Sequence, residues 1–284
     1  MQRKFVGLHV LANELLRYWD DYCTIGHMQR DPSSHKGDNG KVAIVGGSRH
    51  IHGAPIFNAL GAEASGIDTL SICLPRCHEE TAKKWMLNAF IHSFQGDLIT
   101  DADIEPILEL IAPLDCVVLG SGIAKTGERV HALEEIIASS TTPMVLDATA
   151  LQPNTLDLVR GKQAVLTPHL GELERMGLAE NDLQDIANEY QTMIVLKGQT
   201  DKIYSAHSTD EITGGNAGLT TGGTGDVLAG LIGGLIAQGL AQLDAAKDAC
   251  TIMKKAGEKL EKEKGAAYTA VDVIGEIPNL LKSI

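Results

Sequence analysis

Short apolar runs alternating with helical stretches limit the possible folds of this chain more than any other feature. The runs are Lys41-Val-Ala-Ile-Val-Gly46, Asp68-Thr-Leu-Ser-Ile-Cys-Leu74, Asp115-Cys-Val-Val-Leu119, Pro143-Met-Val-Leu-Asp147, Gln163-Ala-Val-Leu-Thr167 and Thr192-Met-Ile-Val-Leu196. Most lack the polar alternation of a half-solvated strand, so they read as central strands covered on both faces. Helical stretches lie between them near 53–66, 101–112, 128–139 and 171–176. This repetition predicts an α/β fold, with a central, mostly parallel sheet and helices on both faces. A short return strand is expected after Gly198, within Lys202-Ile-Tyr-Ser-Ala-His207. Helices near 223–238 and 244–263 and a last one after Val271 close the chain. With no low-complexity linker and no repeat, one domain is expected over residues 35–284. Residues 1–34 are expected to form a helical arm of that same domain.

Charge and composition exclude several roles. The 284 residues carry a net charge of −13, and only 4% are aromatic. A nucleic-acid partner calls for a basic stripe and stacking surfaces, so none is expected. The lysines from Lys254 to Lys264 are interleaved with glutamates and read as a solvated helix face. No membrane partner is expected, because the apolar run near 227–240 is broken by Gly230, Gly233, Gly234 and Gln238. The five cysteines (Cys23, Cys73, Cys77, Cys116, Cys250) are odd in number and irregularly spaced. No second pair completes a zinc site around Cys73 and Cys77-His78. Reduced thiols and a cytoplasmic location are expected.

The polar punctuation falls at strand carboxyl ends: Gly46-Gly47-Ser48, Gly120-Ser121-Gly122, Asp147-Ala-Thr149, Thr167-Pro-His169 and Lys197-Gly198. Ligands of open α/β sheets bind there, so these loops converge on one site. Downstream, Thr220-Thr-Gly222-Gly223-Thr224-Gly225-Asp226 runs into an apolar helix. Free N–H groups at a helix start bind anions, and glycines admit a phosphate closely. An acid beside a bound phosphate suits proton acceptance from a hydroxyl during phosphoryl transfer. Taken alone, the same turn also fits a tight bend with Asp226 complementing the helix dipole.

Other signals are weaker. Gly120-Ser-Gly-Ile-Ala-Lys125-Thr126 has Leu119 and Ala124 at the glycine positions of a Walker loop, and no G-x-G-x-x-G follows a strand, so neither standard nucleotide fingerprint applies. His169 and Glu172 sit in a restrained turn, which as a helix start needs no catalytic role. Lys197 is either a strand terminus or a cation for phosphate. Asp147 is a turn cap or a group serving magnesium or a hydrogen bond. The remaining histidines show no ligand spacing.

Taken in order from about Ser34 onward, these blocks resemble the ADP/ATP-dependent NAD(P)H-hydrate dehydratase family, which has a ribokinase-like fold. The blocks are His35-Lys-Gly-Asp-Asn-Gly40 through Ser48, His52-Gly-Ala54, Gly120-Ser-Gly122, Asp147-Ala-Thr-Ala-Leu151, Thr167-Pro-His-Leu-Gly-Glu172, Leu196-Lys-Gly198 and Gly222-Gly-Thr-Gly-Asp226-Val-Leu. The resemblance implies that Ala54, Gly122, His169 and Asp226 line hydrated NADH or NADPH, with Asp226 as the catalytic base. It implies that Lys197, Gly198, Gln199, Thr200, Asp201 and Gly225 hold ADP or ATP, with magnesium. The amides of Gly223, Thr224 and Gly225 would form an anion hole. It further implies a homo-oligomer, tetrameric or larger, and no room in residues 1–34 for the epimerase domain fused in some relatives. The chain departs from the family pattern at Ser121, Thr149 and Ala217, where the family carries proline, an acid and proline.

Two other readings share these features. A kinase acting on a vitamin alcohol needs the same anion hole and base but releases a phosphorylated product. A non-catalytic nucleotide-binding protein would account for the three departures, against the intact Asp226.

Overall fold

The structure is a computed structural model that describes residues 30–283 apart from residue 126. The arm expected over residues 1–34 therefore lies outside the described residues as far as residue 29, as does Cys23. Cys73, Cys77, Cys116 and Cys250 are free thiols.

Among the described residues the chain runs β1 (Lys41–Val45), α1 (Gly53–Ala64), β2 (Thr69–Leu74), α2 (Glu79–Trp85), β3 (Ala89–Ser93), α3 (Ile104–Ile111), β4 (Cys116–Leu119) and α4 (Gly127–Ser139). It continues β5 (Met144–Leu146), α5 (Thr155–Val159), β6 (Ala164–Leu166), α6 (Leu170–Arg175), α7 (Leu183–Tyr190), β7 (Met193–Leu196), β8 (Asp201–Tyr204) and β9 (Thr209–Ile212). Three helices follow: α8 (Thr224–Ala237), α9 (Gln242–Lys264) and α10 (Ala270–Leu281).

The strands form one nine-stranded sheet in the order β3-β2-β1-β4-β5-β6-β7-β8-β9. β1 to β7 pair in parallel, and β8 and β9 return antiparallel. The expected α/β architecture is therefore present. β1 lies between β2 and β4, so the winding reverses there and opens a crevice at the strand carboxyl ends.

The central strands feed two cores. Val42, Ile44, Ile72 and Val118 face one side with α1, α8 and α9, and Ala43, Val45, Val117 and Leu119 face the other with α3 and α4. This double burial is why the strands read as continuous apolar runs. α8 lies across the middle of the sheet because it can approach α1 very closely. A Cβ at Gly230 would collide with the backbone carbonyl of Asn58, and one at Gly61 with that of Val227.

β3 and β9 did not stand out in the sequence because both lie near the sheet's edges and carry mixed residues, Ala-Phe-Ile-His-Ser and Thr-Asp-Glu-Ile. The reading of 254–264 as a solvated face fails at its first residue. Lys254 is 6% exposed on the inner side of α9, beside Ala249, Cys250, Met253 and Ala256.

Candidate active site

The glycine-rich turn delivers Asp226 into the first turn of α8. Gly223 precedes that helix with φ 98°, a left-handed conformation that favours glycine, and a Cβ there would lie 2.7 Å from the Phe57 ring. Thr224 directs its hydroxyl back to the carbonyls of Leu219 (2.7 Å) and Thr221 (2.9 Å). It therefore ties the turn together, and its own N–H makes a long bond to the Thr221 carbonyl at 3.4 Å, which a bound anion would have to replace. Asn58, fully buried on α1, donates Nδ2 to the Asp226 carbonyl at 2.8 Å. This anchor had a weak sequence signal, a lone amide within the apolar helix Gly-Ala-Pro-Ile-Phe-Asn-Ala-Leu.

A charged cluster faces this turn from the ends of β5 and β7. Lys197 Nζ lies 2.7 Å from Asp147 Oδ1 and 3.7 Å from Glu172 Oε2. Asp147 is buried and also accepts from Thr167 Oγ1 (2.9 Å) and Ser121 Oγ (3.2 Å). Its side chain caps no helix; it is the main counter-ion of Lys197. A Cβ at Gly225 would come within 3.5 Å of Lys197 Nζ, so the lysine head borders the helix start.

Electrostatics follow from that crowding. Burial pushes the Asp226 carboxyl up, the neighbouring Asp147 charge adds to the rise, and the Ser121 hydroxyl and Lys197 oppose it; the result is about 7. The Ser121 hydroxyl has a single proton to divide between Asp147 and Asp226. Burial works to lower the Lys197 ammonium, but Asp147, Glu172 and Asp226 outweigh it and hold the group above the ordinary lysine value. Three carboxylates share one ammonium, so one acid is disposed to keep its proton near neutrality.

His169 starts α6 with a reciprocal cap. Its Nδ1 accepts from the Glu172 N–H at 3.2 Å, and Glu172 Oε2 accepts from the His169 N–H at 3.0 Å. The rest of the ring is exposed, with Nε2 3.6 Å from Glu172 Oε1. A bridge between His169 and Lys197, with Lys197 N–H donating to the Pro168 carbonyl at 2.8 Å, sets the two loops side by side.

On the other flank, a Cβ at Gly122 would meet Ile51 at 3.0 Å, Ala54 at 3.1 Å and Gly47 at 3.3 Å. The loops after β1 and β4 are pinned by Gly47 N–H donating to the Ser121 carbonyl at 2.8 Å. Ala54, Gly122 and Gly47 thus form a small-residue wall beside Ser121. The serine backbone serves the packing, and its hydroxyl enters the acid cluster. Thr149, at the lost acid position, is buried and donates to the Ile123 carbonyl at 2.7 Å, so it fits here as a neutral residue.

The turn after Lys197 is built differently. Asp201 accepts from Gly198 N–H at 2.9 Å and pairs with Lys254 at 3.2 Å, and Lys254 donates to the carbonyls of Gly198 (2.8 Å) and Gln199 (3.0 Å). Asp201 therefore points inward and shapes the turn, leaving Gly198 and Gln199 exposed at its surface. Asn216 holds the loop before α8, accepting from Gly218 N–H (2.8 Å) and the Tyr268 hydroxyl (2.7 Å).

The NAD(P)H-hydrate dehydratase family matches residues 42–279. The chain is 39% identical over 261 residues to the bifunctional NAD(P)H-hydrate repair enzyme Nnr of Methanocaldococcus jannaschii, covering 89% of this chain and 50% of the relative. It is 31% identical over 265 residues to the ADP-dependent (S)-NAD(P)H-hydrate dehydratase of Nitrosopumilus maritimus, covering 89% of this chain and 92% of the relative. The chain thus spans about half the length of the bifunctional relatives it matches. Among solved structures, the ADP/ATP-dependent NAD(P)H-hydrate dehydratase of Bacillus subtilis, co-crystallised with ATP and Mg2+, superposes with a TM-score of 0.76 at 26% identity over 90% of this chain and 93% of that one. A ribokinase-like superfamily protein from Enterococcus faecalis, at TM-score 0.77 and 21% identity over 90% and 91%, agrees in fold. With the fold ribokinase-like and the family's blocks gathered around Asp226, this chain belongs to the NAD(P)H-hydrate dehydratase family.

Proposed function

We propose that this chain restores NADH and NADPH from their hydrated forms, using ADP or ATP to turn the ring hydroxyl into a leaving group. The observation that carries the reading is Asp226, poised near neutrality at the start of α8 and facing an acid-rich cluster with one lysine. A base with a pKa near the working pH is best placed to take a hydroxyl proton and give it up again.

The residues divide the work. Asp226 takes the proton of the C6 hydroxyl as that oxygen attacks the terminal phosphoryl group, whose bond to the bridging oxygen breaks and releases the nucleotide one phosphate shorter. The amides of Gly223, Thr224 and Gly225 face the transferring phosphoryl, each well-aimed donor worth about 3–4 kcal/mol. Lys197 neutralises charge at the nucleotide's phosphates, exchanging part of its pairing with Asp147 for them. The exposed backbone of Gly198 and Gln199, with Thr200, holds the rest of the nucleotide, and Asp201 keeps that turn in shape. Ala54, Gly122 and His169 line the nicotinamide side. Once the C6 oxygen carries phosphate, the ring nitrogen lone pair breaks the C6–O bond. Loss of a proton from C5 then completes the ring double bond, so one water is removed overall as phosphate and a proton.

The residues fit both ligands. Gly225 leaves open the space beside Lys197 Nζ that a side chain would fill. Among the described residues no group of three or more His, Cys, Asp or Glu is arranged to hold a metal by itself. That suits magnesium, which is commonly bound through phosphates, waters and one or two carboxylates; when bound it would neutralise the nucleotide's charge.

We further propose that residues 35–284 act as one catalytic domain with 1–34 as its arm, and that the protein works as a cytoplasmic homo-oligomer of four or more copies without a nucleic-acid partner. Among the described residues no helix is long and apolar enough to cross a membrane. The functional test is stoichiometric. Incubation with hydrated NADH, nucleotide and magnesium should return nicotinamide absorbance and release one phosphate per NADH restored. A phosphorylated nicotinamide species that accumulates without absorbance recovery would instead indicate a kinase.

A further inference from the structure

If the nucleotide enters from the β7–β8 end of the sheet, the rest of the substrate has to leave Asp226 in the opposite direction. The strand ends in that direction belong to β4, β1, β2 and β3 in turn. With strands about 4.8 Å apart, three such steps cover roughly 14 Å, the scale of an extended dinucleotide's second half. The loops on these ends carry a concentration of cationic and imidazole side chains that the mechanism leaves unused: Arg49, His50 and His52 after β1, and Arg76 and His78 after β2. Asp97 beside Arg49 and Glu79 near Arg76 offset part of this charge.

The loops are knitted together. Ser48 and Ile51 exchange backbone hydrogen bonds at 3.0 and 2.9 Å, which holds Arg49 and His50 at the tip of a tight turn. His78 Nε2 lies 3.0 Å from the Ser48 carbonyl, and the His52 and His78 rings are 5.3 Å apart. Arg49 pairs with Asp97 at 2.8 Å on the loop after β3, and Arg76 N–H donates to the Gly96 carbonyl at 3.1 Å. Arg49 is still 67% exposed at its side chain, so most of its guanidinium donors remain open to a ligand. The rim is continuous with the substrate wall, because Ile51 at its base touches the space beside Gly122.

We infer that this rim is the subsite for the phosphates of the substrate's adenylate half, with Arg49 and Arg76 as the principal contacts and His52 and His78 beside them. The inference rests on the proposed function and deepens it. Arginine suits the role because its planar fork matches phosphate oxygens. The reaction takes place at the nicotinamide ring, so these contacts serve binding equally in the ground and transition states and should move KM and leave kcat alone.

The experiment compares hydrated NADPH, hydrated NADH and hydrated reduced nicotinamide mononucleotide, which lacks the adenylate half. Arg49→Ala and Arg76→Ala alter exposed side chains, and thermal melts of each check that the fold is kept. Each should raise KM for both dinucleotides about tenfold, as expected for a lost charge-assisted contact, with kcat and the mononucleotide KM unchanged. A larger rise for hydrated NADPH than for hydrated NADH would assign the contact to the ribose phosphate, and equal rises would assign it to the pyrophosphate. If the dinucleotide KM values stay at wild type, or if all three substrates weaken alike, the subsite is refuted while the functional reading stands. If the wild type restores none of the three, the functional reading falls and this inference falls with it.

Discussion

Two lysines flank the exposed turn at Gly198 and Gln199, Lys254 buried and Lys197 mostly so, and they are treated oppositely. Lys254 meets one carboxylate, Asp201, and two carbonyls, so both its charge and its donors are matched. Lys197 meets Asp147 directly, lies 3.7 Å from Glu172 and feels Asp226 as well. The balanced cluster behaves as scaffold, holding a turn in one shape. The unbalanced one keeps an acid near its titration point and a cation ready to change partners. Burial of a lysine is common to both, and the count of charges around it separates site from support.

Breaking the two clusters should therefore produce different failures. The largest effect is expected at Asp226→Asn, which keeps shape and hydrogen bonding but removes the base. Turnover of hydrated NADH should fall by about 10²–10⁴-fold, while nucleotide affinity measured by calorimetry stays within a few-fold. Full activity in this variant would remove Asp226 from the chemistry.

Lys254→Met should damage stability and spare the chemistry. It leaves the Asp201 carboxylate buried without its counter-ion, at a cost of about 3–5 kcal/mol. The melting temperature should drop by roughly 6 °C or more, and nucleotide KM should rise as the turn loosens, while kcat at saturating nucleotide in the remaining folded protein changes little. A variant as stable as wild type would show that Lys254 is not the clamp of the turn.

The same contrast appears in the pH dependence of stability. The Asp226 carboxyl is raised in the folded state to about 7, from an ordinary value of 3.8. The native protein therefore holds a proton that the unfolded chain has lost across that window, and the group's contribution to stability falls as pH rises through it. Above pH 7 the full penalty applies, on the order of 4 kcal/mol. Melting curves of Asp226→Asn should lack this decline and lie above wild type at pH 8. A variant that tracks wild type across the window would refute the assigned environment.

A smaller effect belongs to Ser121→Ala. The hydroxyl favours the charged form of Asp226, so its loss should move the acid limb of the rate profile upward by roughly half to one pH unit. An unmoved limb would place the serine proton wholly on Asp147.

Much of this was legible in the sequence. The central strands are buried on both faces, and so they read as unbroken apolar runs. The site loops carry glycine, threonine, histidine and acid at strand ends, where the topology leaves few alternatives. The edge strand β3 and the charged β9 were not legible, because exposed faces tolerate mixed residues. The inward turn of Lys254 was hidden because a lysine among lysines and glutamates has no local mark of burial, and only the packing of α9 against the 198–201 turn supplies it. Asn58 was hidden for a related reason: its partner, the Asp226 carbonyl, lies 168 residues away. Asp147 was visible as a polar strand end, but its pairing with Lys197 spans 50 residues and needed the sheet order to appear.

The most direct test of the unbalanced cluster is the pH profile of kcat/KM for dehydration of hydrated NADH, with nucleotide saturating. If Asp226 is the base and its neighbours hold it near neutrality, the profile should rise through an acid limb close to pH 7 in wild type. A limb at the ordinary carboxylate value near pH 4, or a rate independent of pH between 5 and 8, would contradict the account.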